Sequence, residues 1–221
     1  MILRSYKMTH EGYNAPNFTN GVLTNALCMG SLRLKWNIGE WMAGFSCQTL
    51  DNSQVGQEKL IYIAKVSQKL TLDEFWDKYP QKRPNNDRYG DNIYQPNGNG
   101  GYFRIDNSGN RFAISATDGK DKKHIKNIKA NCVLVCDEFY YFGINKMLVL
   151  PMRKDIALAR SAAITSDLNV INSLILFVQN NKNQCMQYRD DSGKSGGSGI
   201  PKSGNVRGLC GVEKNHKSRK C

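Results

Sequence analysis

Apolar positions in residues 1–150 recur mostly in short runs typical of β-strands, with little helical spacing. The clearest run is 60–66, where β-branched and aromatic residues stand beside the apolar ones. The pattern also predicts strands over 2–8, 39–45, 132–136, 139–143 and 147–150, and an exposed loop and hairpin within 95–110. Several short strands with few helices favour an α+β protein, mainly β, built on a small curved sheet or barrel with peripheral helices.

Two segments follow the helical period. Thr71, followed three residues later by Glu74, predicts a capping box that opens a short helix, and Pro80 and Pro84 end it. Residues 155–181 carry an apolar stripe at spacings of four and three, which a helix places on one face: Ile164, Leu168, Ile171, Ile175 and Val178. Thr165, Ser166 and Asp167 can divide this helix into two pieces. We interpret the stripe as packing against the body, and a homodimer seam over 164–178 is the alternative.

Composition divides the chain into a body over 1–152, a C-terminal helical extension over 153–188 and a tail over 189–221. The tail holds seven Gly, five Ser and eight Lys or Arg against three acidic residues. With almost no apolar residue to bury, it is predicted to be disordered and basic.

The charge balance favours a polyanionic partner. Lys plus Arg is 31 and Asp plus Glu is 19, which gives a net charge of +12, so nucleic acid or a nucleotide is the expected partner. We find no leader at Met1 and no apolar run of the roughly 18 residues a span needs. We therefore expect no membrane partner, a cytoplasmic location and reduced thiols in the seven scattered cysteines.

Several apparent motifs lack the spacing that their chemistry needs. Gly193-Lys194-Ser195 resembles the end of a phosphate-binding loop, but Tyr188 stands where its first Gly is required. On a strand, Cys132 and Cys136 would be about 13 Å apart, too far to share one zinc ion. Cys210, His216 and Cys221 lack a fourth ligand. The sequence therefore predicts no metal site and no cofactor.

Four stretches, taken in order, resemble the nucleotide modification associated domain 2 family of bacteria and phages. They are 6–18 with the core GYNAPNF, 34–44 ending IGEWMAG, 59–76 running into GDNIY at 90–94, and 131–143 ending EFYYFG. The resemblance covers about residues 1–152, and Glu40 stands where the family more commonly has Asp. It implies a role in DNA modification, in a bacterial or phage-infected cell.

A looser likeness links the chain to the PUA-like EVE, ASCH and YTH modules, several of which hold a flipped, modified base in an aromatic pocket. It implies an aromatic wall made of Trp36, Trp41, Tyr94, Tyr140 and Tyr141. The candidate readers of the base edge are Asn14, Ser46, Asp91 and Asn92. The candidate contacts to the nucleic-acid backbone are Arg33, Lys35, Lys82, Arg83 and Arg88. The plainer alternative places Trp41 and residues 139–142 in the core.

Two other functions stay open at this level. The chain could be an enzyme of nucleotide or base modification, with Asp91 and Cys28 or Cys47 as the reactive groups. It could also be a dimeric, partner-binding protein whose helix pairs two copies and whose basic tail tethers them. We place binding of a modified base or nucleotide ahead of both.

Overall fold

The computed structural model describes residues 1–9, 16–85, 90–115 and 121–198. Its strands are β1 Leu3–Lys7, β2 Leu23–Asn25, β3 Trp41–Phe45, β4 Leu60–Lys65, β5 Gln68–Leu70, β6 Tyr94–Pro96, β7 Tyr102–Ile105, β8 Arg111–Ala113, β9 Val133–Cys136, β10 Glu138–Tyr141, β11 Ala163–Thr165, β12 Gln187–Arg189 and β13 Ser195–Gly196. Its α-helices are α1 Gly30–Arg33, α2 Gln48–Asp51, α3 Leu72–Lys78, α4 Lys122–Ala130 and α5 Leu168–Asn180.

The main sheet has seven strands in the order β11-β1-β3-β4-β10-β12-β13. β1 and β3 run parallel, with Leu3 opposite Trp41, and the other neighbours are antiparallel. Because the order begins at β11 and ends at β13, the described strands form an open sheet and no closed barrel. The prediction of a mainly β, α+β fold is confirmed.

A second sheet, ordered β2-β9-β5, packs against the main sheet. Its central strand β9 alternates: Leu134 and Cys136 face the core between the two sheets, whereas Val133 and Val135 face the opposite side. Both faces of β9 are therefore buried, which is the physical reason for its continuous apolar run. Cys136 and Cys132 are core residues with pKa values raised by burial, so the thiols are protonated there.

Helices cover the two outer faces of this pair of sheets. Ile171, Leu174 and Val178 of α5 are fully buried against the main sheet. Phe75 of α3 and Ile128 of α4 pack on the far side of the second sheet. Among the described residues, no helix is both long enough and apolar enough to cross a membrane.

A third sheet, ordered β6-β7-β8, projects beside α3 and α4, and we refer to it as the β6–β8 arm. β6 is anchored by Tyr94, which is almost fully buried, while all three residues of β8 are exposed. The exposed hairpin predicted within 95–110 therefore exists, extended by one further strand.

The capping box predicted at Thr71 is present. The Thr71 hydroxyl accepts a hydrogen bond from the Glu74 amide, and the Glu74 carboxylate accepts one from the Thr71 amide. Hydrogen bonds from the Thr71 amide and the Thr71 hydroxyl to the Glu74 carboxylate lower the pKa of Glu74. The capping box joins residues three apart, which is why the sequence revealed it; the Leu72 amide is capped by the distant Asn131 side-chain oxygen, at 2.9 Å.

Two predicted elements differ in the structure. The segment 147–150 makes only an isolated bridge, Leu148 with Leu60, and is not a strand; Val149 beside it is 67% exposed. The helix predicted over 155–181 begins only at Leu168, because the Asp167 carboxylate caps the amides of the first turn. Ile164 therefore lies on β11, opposite Arg4, and not on the helical stripe.

The chain after residue 152 continues the same sheet. β11, β12 and β13 all belong to the seven-stranded sheet, and β12 pairs with β10. The divisions proposed at residues 152 and 188 therefore do not coincide with an edge of this sheet. Residues 189–198, predicted to belong to the flexible tail, contribute the last residue of β12 and the whole of β13. The rest of the tail, with Cys210, His216 and Cys221, lies outside the described residues.

Candidate functional site

The five aromatic residues predicted to line one pocket lie in three separate parts of the core. Trp36 and Tyr141 are buried between the two sheets, where Tyr141 stacks on Phe18 at a centroid distance of 4.0 Å. Trp41 and Tyr140 lie on the other face of the main sheet, beneath α5. Tyr94 lies beyond the second sheet. This separation corrects the predicted pocket: these side chains form no common wall.

Two of the predicted readers of the base edge, Asn92 and Ser46, form hydrogen bonds with the protein's own backbone instead. The Asn92 amide donates to the carbonyls of Phe75 and Tyr79, at 2.8 and 3.0 Å. The Ser46 hydroxyl accepts from the Lys59 amide at 2.9 Å. Both residues are buried and hold loops in place. Asn14 and the backbone candidate Arg88 lie outside the described residues.

Two of the predicted backbone contacts are buried cations. The Lys82 ammonium is fully buried, with four oxygens of Asn17, Thr19 and Val22 at 2.6–3.1 Å. The Arg33 guanidinium is fully buried as well and donates to the carbonyls of Cys132 and Cys28. Their charges organise the interior, so we no longer assign them to contact with phosphates.

The remaining two cations differ from each other. Arg83 is half-buried: its guanidinium lies 3.8 Å from the centre of the Trp76 ring and donates to the Trp76 carbonyl at 2.8 Å. Lys35, just after α1, is exposed. Of the described cations predicted to contact the nucleic-acid backbone, Lys35 is the one with a fully accessible charge.

Asp91 is the most perturbed carboxyl of the described chain. It is fully buried and lies beside the Thr24 side chain, Lys82 and Arg33. Burial raises the pKa of this carboxyl to about 6, although Lys82 and Arg33 nearby favour its charged form. Its burial leaves it no contact with a bound ligand in this conformation.

An open groove runs between α1 and α4, with a cavity volume of about 680 Å³. We call it the α1–α4 groove. Its floor is mostly apolar, with Leu27, Met29, Leu34 and Ala130, beside the half-buried Cys28. Lys123, Lys126 and Lys129 line one wall.

The lysines of α4 stand in a row on its outer face. Lys123, Lys126 and Lys129 recur every three residues, so their stems project in similar directions along about two turns. All three are exposed, as is Lys122, and within the described ranges none of the four forms an ion pair. We call Lys123, Lys126 and Lys129 the α4 lysine row.

The sequence pattern did not predict the helix that carries these lysines. The buried side of α4 holds His124 and Asn127, two polar residues, so the apolar periodicity that identifies a helix is weak. The useful signal was Ile125 and Ile128 at a spacing of three, with lysines between them.

A hydrogen-bonded chain holds α4 against α1. Arg33 donates to the Asn127 side-chain oxygen at 3.3 Å, and the Asn127 nitrogen donates to the Leu27 carbonyl at 2.6 Å and to the Tyr94 hydroxyl at 3.1 Å. The Tyr94 hydroxyl lies 3.0 Å from Nδ1 of His124. The side-chain amide of Asn127 is therefore occupied by hydrogen bonds within the protein, and its role is to hold α4 in place as one wall of the groove.

Close approach of the helices requires Gly30. A Cβ atom added there would lie 3.1 Å from the Lys126 carbonyl oxygen and 3.3 Å from the Ala130 Cβ. The preceding Met29 adopts a left-handed conformation, with φ 59°, which is uncommon for a side chain of its size. This strained residue lines the groove, as strained residues often do at binding sites.

Of the three candidate reactive groups, only Cys28 lines this groove. Asp91 is fully buried and Cys47 is 5% exposed. Within the described ranges, no three His, Cys, Asp or Glu residues come together in a way that could hold a metal ion.

The fold and groove together define a mixed α+β protein with an exposed lysine row over an apolar cleft. A profile of the nucleotide modification associated domain 2 family matches residues 2–190, and the chain belongs to this family. The family resemblance expected from four stretches is thereby confirmed, and the match extends through α5 to β12. No curated protein and no solved structure shows a significant match.

Proposed function

We propose that this protein binds nucleic acid or a nucleotide in the α1–α4 groove, as part of a nucleotide-modification system. Its family places it in that context. The observation that carries the proposal is the α4 lysine row, whose ammonium groups line an apolar cleft and have no carboxylate partner among the described residues. Lysine stems with unpaired ammonium groups suit the contact of phosphates, which supplies most of the affinity of such complexes.

The experiment is the salt dependence of oligonucleotide binding, measured by fluorescence anisotropy on the full chain. A variant with Lys123, Lys126 and Lys129 all changed to Gln removes three of the proposed phosphate contacts. The slope of log K against log salt is expected to become shallower by roughly 2–3. Each single change is expected to remove about 0.7–0.9 of that slope.

The matched control changes three exposed lysines outside the groove, Lys78, Lys146 and Lys154, to Gln. It alters the net charge by the same amount, and its slope is expected to stay within about 0.5 of the wild-type value. An equal fall in both triple variants would contradict the proposal, because binding would then follow the total charge of the protein.

A further inference from the structure

The floor of the α1–α4 groove suits more than a phosphate. Leu34 is 53% exposed at its edge, and Leu27 and Met29 continue the apolar surface inward. A phosphodiester gains little from such a surface, whereas the flat face of a base gains contact area. In an intact duplex the base faces are stacked on one another and are closed to this contact.

A second surface of the same chemistry lies on the β6–β8 arm. Phe112 of β8 is 40% exposed, and the Arg104 guanidinium lies 4.8 Å from its ring centre. The two residues are opposite each other in the β7–β8 register. Arg111, next along β8, is exposed. Aromatic rings paired with arginines are the stacking surfaces with which proteins hold unpaired bases.

The arm is held beside α4. Tyr94 of β6 contacts His124 of α4, with ring centres 5.8 Å apart. The Ser115 amide, just after β8, donates to the carboxylate of Asp121 at the start of α4 at 2.9 Å. The β6–β8 arm and α4 are therefore joined by direct contacts.

We infer that the ligand of this surface is an unpaired nucleic-acid strand, with its phosphates on the α4 lysine row and its bases on the groove floor and the arm. The inference rests on the proposed function and specifies its ligand. Stacking is tolerant of base identity, so DNA and RNA strands share the chemistry.

The test compares an oligothymidylate, the same strand in a duplex with its complement, and oligouridylate, each at two salt concentrations. The wild-type protein is expected to bind the single strand at least about tenfold more tightly than the duplex. Leu34→Gln and Phe112→Ala are each expected to weaken single-strand binding about fivefold or more. The salt slope should stay unchanged, because no cation is removed.

Matched controls are Leu176→Gln on α5 and Val149→Ala. Leu176 is 57% exposed, close to the exposure of Leu34, and Val149 is 67% exposed; both are remote from the groove lining. Neither change should alter the affinity. Because all four side chains are exposed, a urea denaturation curve identifies any variant whose loss comes from unfolding instead.

Duplex bound as tightly as the single strand would overturn the inference and leave the proposed function standing. Thymidine monophosphate is included as the free nucleotide, and binding of it as tight as that of the single strand would overturn the inference as well. If the wild-type protein binds none of these ligands, the proposed function itself fails. Different affinities for oligothymidylate and oligouridylate, with both above duplex, would support the inference and identify the strand.

Discussion

Basic side chains are buried in one region of the molecule and exposed in a neighbouring one. Arg33 and Lys82 are fully buried and donate to backbone carbonyls around Asp91, whereas Lys126 and its neighbours on α4 remain in solvent. The first group holds the interior together, since an ionised side chain without partners would be very costly there. The second contributes little to stability and is available to a ligand. A count of basic residues cannot distinguish these two roles.

The largest difference between the two regions is expected when a buried cation is removed. Lys82→Met leaves the oxygens of Asn17, Thr19 and Val22 buried without their donor, and it removes a positive charge near Asp91. We expect a loss of about 3–5 kcal/mol in the free energy of unfolding, measured with urea. Lys126→Met should change the free energy of unfolding by less than about 0.5 kcal/mol. Equal losses at the two sites would contradict the distinction.

A smaller effect is expected where the two regions meet, at the contact of α1 with α4. Gly30→Val places methyl groups against the Lys126 carbonyl and Ala130. We expect a loss of roughly 1–3 kcal/mol from overpacking, together with weaker oligonucleotide binding because the groove wall moves. The neighbouring Ser31, exposed on the same helix, is the control. Ser31→Val should change stability by less than about 0.5 kcal/mol.

The pH dependence of stability tests the buried group directly. The pKa of Asp91 rises from 3.8 to about 6 on folding, because burial disfavours the charged carboxylate. Between these values the folded state holds a proton that the unfolded state has lost, so this group's contribution to stability falls as pH rises from 4 to 6.

Asp91→Asn removes that titration. The stability of the wild-type protein relative to Asp91→Asn should therefore fall by on the order of 1–2 kcal/mol from pH 4 to pH 6 and then level off. Urea curves of both proteins at several pH values measure the difference. A constant difference across this range would show that Asp91 has an ordinary pKa.

The smallest effect concerns the exposed row alone. Lys126 has a like charge three residues away on each side, at Lys123 and Lys129. Lys126→Gln is therefore expected to raise stability by about 0.5 kcal/mol at low salt, and the gain should shrink as salt screens the charges. Lys154→Gln should show no such gain. A loss of stability at Lys126 would mean that this ammonium has a structural partner.

Local chemistry was predictable where neighbours in the chain decide it. The capping box at Thr71 and the strand around residues 60–65 agree with the structure, because both depend on side chains close in sequence. The start of the helix was not predictable from the apolar period, since the Asp167 carboxylate caps the first turn and the helix begins at Leu168. Val149 and its neighbours have strand-like side chains, yet the sheet offers them only one bridge, at Leu60.

The candidate site was less predictable than the fold. Trp36, Tyr94 and Tyr140 were reasonable candidates for one pocket, but the two sheets separate them into different core clusters. Asp91 was expected to contact a base, but it is fully buried, with Lys82 and Arg33 nearby. None of these contacts joins residues that are close in sequence, so no spacing could reveal them.

The sequence by itself determined the family, the mainly β class and the excess of positive charge. Those properties follow from the composition, from the spacing of apolar and polar residues, and from motifs that lie within short stretches of the chain. Only the tertiary structure decided which cations are buried and which line the α1–α4 groove. The reason is physical: accessibility depends on what packs over a side chain, and for Arg33 that includes Cys132, ninety-nine residues away.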